Sequence, residues 1–300
     1  MKVVVGIPTF NRPDILRISL PRLAASGVDG LIVVADAVDE VTLGKYRELI
    51  NDVAKSINDV IYDLNLGRRG SVNARNKVLE LFLEHYGNNY AIITYDDDYI
   101  PPKTDWIRPA LAHFRDANVG IVGGKVINLR RRRVDPDFSL NVMPYLADVL
   151  TEATGFIFLD TKHGPRTAKY VTHLMAIRRE VIERGVRYDT QYKGTGYREE
   201  SDLQERARKL GYRIIFEPNF YTYHANLEYG GDRSEDKPAR FYWKARNNTY
   251  FMLKNQKPKI KLILSTYIIL AYAMINGPKT AKNVIKGIKD GYGTFHETPR

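Results

Sequence analysis

The chain of 300 residues contains no cysteine. That excludes a disulfide scaffold, thiolate zinc sites, iron–sulfur clusters and a cysteine nucleophile. Acidic residues are missing from one long stretch: between Lys237 and Lys289 there are 12 basic residues and no Asp or Glu. Long hydrophobic runs are scarce as well. The opening Met1-Lys2-Val3-Val4-Val5-Gly6-Ile7-Pro8 is too short an apolar run for a signal peptide. It predicts a first strand, and the folded part is expected to stay in the cytoplasm. No internal repeat or low-complexity tract is present. With 44% hydrophobic and 27% charged residues, the composition excludes a disordered or collagen-like chain.

What is present is unevenly spread. The formal net charge is +11, from 46 basic and 35 acidic residues. Residues 231–300 carry 14 basic and 5 acidic residues, whereas 1–230 carry 32 and 30. The charge belongs to the tail, and a nearly neutral body precedes it. The expected division is a catalytic body over 1–230 and a helical C-terminal region over 231–300.

The body alternates strand and helix patterns. β-branched or continuous apolar runs at 2–7, 31–35, 60–64, 90–95 and 119–129 predict strands, the last broken by Gly123-Gly124. Helical spacing at 14–25, 42–57, 71–85 and 106–115 fills the gaps. Continuous apolar strands alternating with helices predict an α/β fold with a mostly parallel sheet, covered on both faces. Ligands in such sheets sit beyond the carboxyl ends of the strands. The candidate positions are therefore Thr9, Asn11 and Arg12; Asp36; Asn65 and Gly67; and Asp96, Asp97 and Asp98.

The strand at 90–95 runs straight into Asp96-Asp97-Asp98. Three adjacent carboxylates repel one another unless a positive charge neutralises them. Mg²⁺ or Mn²⁺, bound through one or two carboxylates plus phosphate oxygens, does this. The bland alternative is a solvated acidic turn. A second acidic group, Glu199-Glu200-Ser201-Asp202, opens a helix pattern that stops at Gly211. Acidic residues suit a helix start through the dipole. A carboxylate there can also act as a general base toward a bound hydroxyl. His224 follows one short strand later, at 213–216, and is a candidate metal ligand or a structural histidine.

These residues, in this order, resemble the inverting nucleotide-sugar glycosyltransferases of family 2, which have the GT-A fold. Gly6-Ile7-Pro8-Thr9-Phe10-Asn11-Arg12-Pro13 looks like the opening donor loop. Asn65-Leu66-Gly67 with Ala74-Arg75-Asn76 looks like the second donor segment. Asp96-Asp97-Asp98 is similar to the metal-binding Asp-x-Asp. Glu199-Glu200-Ser201-Asp202-Leu203 with Gly211-Tyr212 and His224 resembles the acceptor-side base motif and its trailing histidine. The resemblance spans about residues 3–225. It implies that Pro8, Thr9, Asn11, Arg12, Asp36, Asn65, Gly67, Arg75, Asn76, Asp96 and Asp97 serve the donor. It implies that Asp98, Asp96 and His224 serve a divalent metal, Mn²⁺ or Mg²⁺. Glu200 would be the base, with Glu199 and Asp202 beside it; the motif often has Glu-Asp where this chain has Glu199-Glu200, so either Glu could be the base. The second-strand motif also departs, with Asp36-Ala37-Val38-Asp39 in place of a longer Asp/Ser-rich turn. The donor implied is a hexose nucleotide, GDP-mannose first and UDP-glucose next. The acceptor implied is a lipid-linked glycan or a polyprenyl carrier.

The tail holds the longest uncharged apolar stretch, the 14 residues 262–275. As a helix it is about 21 Å long, short of a ~30 Å hydrocarbon core. Counting on to Gly277, with flanking lysines snorkelling, it reads as a thin span or as a helix lying on the bilayer. Its basic flanks suit anionic headgroups. The expected location is membrane-associated, with the catalytic body on the cytoplasmic side. A helix docked on the body is the alternative. Arg130-Arg131-Arg132-Arg133 reads as solvated loop charge or as a phosphate contact. The polar segment 224–237 reads as a lid or a linker. A nucleic-acid-binding module, suggested by the basic aromatic tail, leaves both acidic clusters unexplained.

Overall fold

Valine and isoleucine supply the first strands: β1 (Lys2–Phe10), β2 (Gly30–Ala37), β3 (Val60–Leu66) and β4 (Tyr90–Thr94). All of β2 is buried, as a strand covered on both faces must be. Between the strands run α1 (Pro13–Ala24), α2 (Glu40–Val53) and α3 (Ser71–His85). α1 begins with Pro13, whose missing N–H costs nothing in a first turn. α2 begins on Asp39, whose Oδ1 accepts from the Thr42 amide at 2.7 Å. The four strands are parallel in the order β3-β2-β1-β4. This is the α/β architecture with a mostly parallel sheet that the alternation predicts.

The computed structural model describes residues 1–129, 143–225, 236–256 and 258–298. Arg130–133 and residues 226–235 of the polar segment lie outside them. The middle of the chain continues with β5 (Tyr99–Ile100), α4 (Arg108–His113), β6 (Val119–Asn128), α5 (Leu146–Thr154), β7 (Arg166–Thr167), β8 (Met175–Arg178), α6 (Arg179–Glu183), α7 (Glu199–Lys209) and β9 (Arg213–His224). The sheet extends past β4 in the order β8-β6-β9-β5. β8 is antiparallel to both neighbours, and β6 and β9 are parallel. The short β5 and β7 pair antiparallel with β9.

Gly123 and Gly124 permit close approach in β6 rather than ending it. A Cβ on Gly124 would stand 2.3 Å from the Phe220 carbonyl oxygen, and one on Gly123 2.1 Å from the Val171 Cβ. One face of the sheet packs Leu16, Leu20, Tyr46, Trp106 and Phe220. The other packs Val78, Phe82, Leu203, Tyr250 and Phe251.

Tyr250, Phe251 and Met252 belong to α8 (Lys237–Asn255), so the C-terminal helices do not stand apart from the body core. α9 (Ile260–Ile275) and α10 (Pro278–Glu297) complete them. Gly287 and Gly291 let α10 lie on the α8 backbone; a Cβ at either would meet a main-chain carbonyl oxygen at 2.3 Å. α9 docks by the stripe Ser265, Ile269 and Ala273 and leaves Ile263, Tyr267, Met274 and Ile275 exposed. Among the described residues no helix is long and apolar enough to cross a membrane.

Candidate active site

The strand ends carry the site. Register places Phe10 beside Asp36 and Asp36 beside Asn65. Asn11 takes the left-handed backbone region (φ 59°), and its Oδ1 accepts from the Val38 amide at 3.1 Å. Pro8 pairs with Val34 in the sheet below. The Gly67 amide, at φ +104°, donates to the Ala37 carbonyl at 2.8 Å. Asp36 is buried, and Arg69 holds it through both its amide and its Nε at 2.7 Å. Asn65 Nδ2 adds a contact at 3.3 Å. Arg69 was not legible as a site residue. Its only sequence signal is a pair of arginines, Arg68-Arg69, between a strand end and a helix start.

The three adjacent aspartates diverge. Asp96 accepts from Arg75 Nη2 at 2.7 Å. Burial pushes its carboxyl up, but Arg75 and then His173 and His224 outweigh burial and hold it well below the usual range. Asp97 turns inward, accepting from Thr9 Oγ1 at 2.8 Å and Arg12 Nη1 at 3.0 Å. Burial dominates there and, against the pull of Arg12, raises the carboxyl to about 6. Tyr46 from α2 completes that knot. Its hydroxyl accepts from the Arg12 amide at 2.7 Å and is itself pushed up to about 12 by burial. Asp98 Oδ2 instead faces His224 Nε2 at 3.1 Å, with Arg12 Nη1 at 3.7 Å. The pairing of Tyr99 with His224 brings these two together across 126 residues of sequence.

Among the described residues, Asp98 and His224 are therefore the two possible metal donors that converge. Asp96 is held away on Arg75, and Asp97 on Thr9 and Arg12. Among the described residues no three carboxylate or imidazole groups converge as a metal site. One carboxylate and one imidazole nevertheless fit a divalent ion that takes its remaining ligands from phosphate and water.

Arg75 joins the donor edge to the second acidic group. Its Nη2 holds Asp96 and its Nε lies 2.9 Å from Glu199 Oε1. Glu199 is thus a buried counter-ion. Glu200 faces an imidazole instead of a guanidinium: Oε1 stands 3.4 Å from His173 Nε2, and its buried Oε2 has no hydrogen-bond partner among the described residues. His173 Nδ1 is likewise buried without one. The Thr94 hydroxyl pins the His173 carbonyl at 2.6 Å. Nothing in the sequence marks His173, a single histidine before β8.

Asp202 is not brought to this edge. It is fully buried between α7 and α8, held by Arg206 and Lys254 at 2.9 Å and by Asn255 Nδ2 at 2.6 Å. Asn76 also looks inward, with both amide atoms on the Tyr188 backbone at 2.9 Å. Two clefts of about 430 Å³ lie elsewhere, one lined by Met1 and Arg108, the other by Lys169 and Lys261. Neither holds any of the carboxylates at the strand ends, so side-chain chemistry rather than cavity size locates the site.

Residues 4–186 match the family model described as Glycosyl transferase family 2. Among solved structures, residues 1–349 of S. aureus TarS, in complex with UDP-GlcNAc, are similar with a TM-score of 0.66 at 14% identity. The match covers 98% of this chain and 82% of that one. The mannosyltransferase PcManGT from Pyrobaculum calidifontis, in complex with GDP-Man and Mn²⁺, has a TM-score of 0.59 at 16% identity. That match covers 98% of this chain and 84% of the other. No curated protein sequence matches. At these identities the structural likeness is one of fold.

Proposed function

Because the chain belongs to glycosyl transferase family 2, and is thus a nucleotide-sugar glycosyltransferase, we propose that it transfers a hexose, with inversion, to a hydroxyl of a lipid-linked glycan or a polyprenyl carrier. The observation that carries this reading is the arrangement at one sheet edge. The Asp98–His224 pair and the Glu200–His173 pair flank Arg75, which contacts both acidic groups. Inverting transfer needs a leaving diphosphate stabilised on one side and a base on the other. Asp98 and His224 would hold Mn²⁺ or Mg²⁺, which neutralises charge on the departing diphosphate. Glu200, which faces the His173 imidazole rather than a guanidinium, is the base. Glu199 is committed to Arg75, and Asp202 to Lys254 and Asn255.

GDP-mannose is the first donor to try and UDP-glucose the second. Thermal shift of the full chain against UDP-, GDP- and dTDP-sugars, with and without Mn²⁺, tests the reading. One nucleotide is expected to raise the melting temperature by several degrees only with metal, since a ligand that binds the native state alone stabilises it. No shift with any pair defeats the catalytic reading.

Membrane association, on the cytoplasmic face, is the second part of the proposal. It is supported by the exposed apolar side of α9 and by the unbroken basic charge of 237–289. A helix that docks by Ser265, Ile269 and Ala273 and turns Tyr267 and Met274 outward suits a bilayer surface. The full chain is expected to sediment with vesicles containing anionic lipid and not with neutral ones, and to be released by salt. Equal recovery in the supernatant with both vesicle types rejects this part.

A further inference from the structure

The residue before the two glutamates is held under unusual constraint. Arg198 has no exposed surface and sits at the N-cap of α7 with φ 77° and ψ −2°. L residues rarely adopt that left-handed region, and doing so costs free energy that the surroundings must offset. Glycine takes the same region nearby at Gly194 and Gly196, without that cost. Among the described residues no carboxylate lies within ion-pair distance of the Arg198 guanidinium. The group lies instead among aromatic rings, 4.7 Å from the Phe251 centroid and 5.6 Å from that of Tyr197. A buried cation without a counter-charge is destabilising. A methionine would fill the same cage without that cost.

The hydrogen bonds show what the arginine achieves. Nε and Nη2 donate to Asn248 Oδ1 at 3.0 and 2.8 Å, and Nη2 also donates to the Gly155 carbonyl at 2.7 Å. Asn248 Nδ2 in turn donates to Ser265 Oγ at 2.6 Å. Asn248 and Ser265 are both buried. A continuous buried path thus runs from the first turn of α7, through α8, to α9. Other α8 side chains hold the approach to that turn: Asn247 Nδ2 donates to the Lys193 carbonyl at 2.8 Å, and Tyr250 Oη to Asp189 Oδ2 at 2.9 Å.

We propose that Arg198 is a positioning residue that locks the Glu199–Glu200 turn to α8 and α9, making the C-terminal helices part of the catalytic apparatus. The proposal rests on Glu200 being the base. Arg198 fixes the backbone from which Glu200 projects, and a displacement of about 1 Å at a catalytic group costs on the order of 10²-fold in rate.

The test uses Arg198→Met, Asn248→Leu and Asn248→Asp in the full chain. Asn248→Asp gives the guanidinium a carboxylate and can still accept from the Ser265 hydroxyl. Arg198→Met and Asn248→Leu are expected to lower kcat roughly 10- to 100-fold with the donor KM unchanged. Asn248→Asp is expected to stay within about twofold of wild type. Hydrogen–deuterium exchange supplies a readout that needs no activity: segment 189–202 should lose protection in Arg198→Met and Asn248→Leu, while β1 and β2 keep theirs. A wild type that transfers no sugar defeats the glycosyltransfer reading, and exchange still tests the lock. Unchanged protection of 189–202 in folded Arg198→Met, or in Asn248→Leu should the first variant not fold, overturns the proposal. So does a kcat within threefold of wild type in both Arg198→Met and Asn248→Leu.

Discussion

Glu200→Gln is expected to lower kcat for transfer to a hydroxyl acceptor by about 10³-fold while leaving donor binding intact, within the range that a positioned general base contributes. Glutamine keeps the shape of the side chain and its contact with His173 but cannot take a proton. The neighbouring Glu199 supplies the contrast. Its carboxylate faces Arg75, which also holds Asp96. The same substitution at Glu199 would leave a buried guanidinium short of one counter-charge and disturb the donor edge. It should therefore raise the donor KM and lower stability, where Glu200→Gln changes kcat alone. Steady-state kinetics with the donor identified by thermal shift, read as kcat and KM separately, tells the two apart. Full kcat in Glu200→Gln with a neutral hydroxyl acceptor would remove Glu200 from the base role.

Much of this arrangement was legible in the sequence, for physical reasons that also explain the gaps. Strands covered on both faces must be largely apolar, so β1, β2 and β4 announce themselves, whereas the half-buried edge strand β3 shows only through its short apolar start at 60–64. β8 has only four residues, Met-Ala-Ile-Arg, too few for any period to show, so nothing local in the sequence marks its antiparallel insertion. α10 carries Gly287, Gly291 and Gly293, which read as poor helix; two of them are there to let α8 approach.

The acidic clusters are legible in the sequence, and the family resemblance divides their roles, but the partners that separate the carboxylates are not legible. Asp96, Asp97 and Asp98 are equivalent as letters, and only cross-chain partners, Arg75, Arg12 and His224, separate them. Asp202 looked like a companion of Glu200. Two residues on a helix turn through about 200°, so the two side chains leave on opposite faces. His173, Arg69 and Arg198 carry no local pattern. Their significance comes from long-range register and burial, which a linear reading does not contain.

The division among the aspartates leads to the second large effect. Asp98→Asn is expected to abolish the metal-dependent part of donor stabilisation and to lower transfer by about 10²-fold or more. A hard divalent ion takes anionic oxygen, and an amide in its place offers only a weak neutral donor. Asp97 is the internal control. Its oxygens are spent on Thr9 and Arg12, so Asp97→Asn should cost stability and leave the metal response in place. The two variants are one residue apart, carry the same charge change and differ only in where the carboxylate points. Melting curves with donor, across a Mn²⁺ titration and again in chelator, separate them. A metal-dependent shift that survives in Asp98→Asn and disappears in Asp97→Asn would reverse the assignment. A metal-dependent shift retained in full in both variants would mean that neither carboxylate holds the ion.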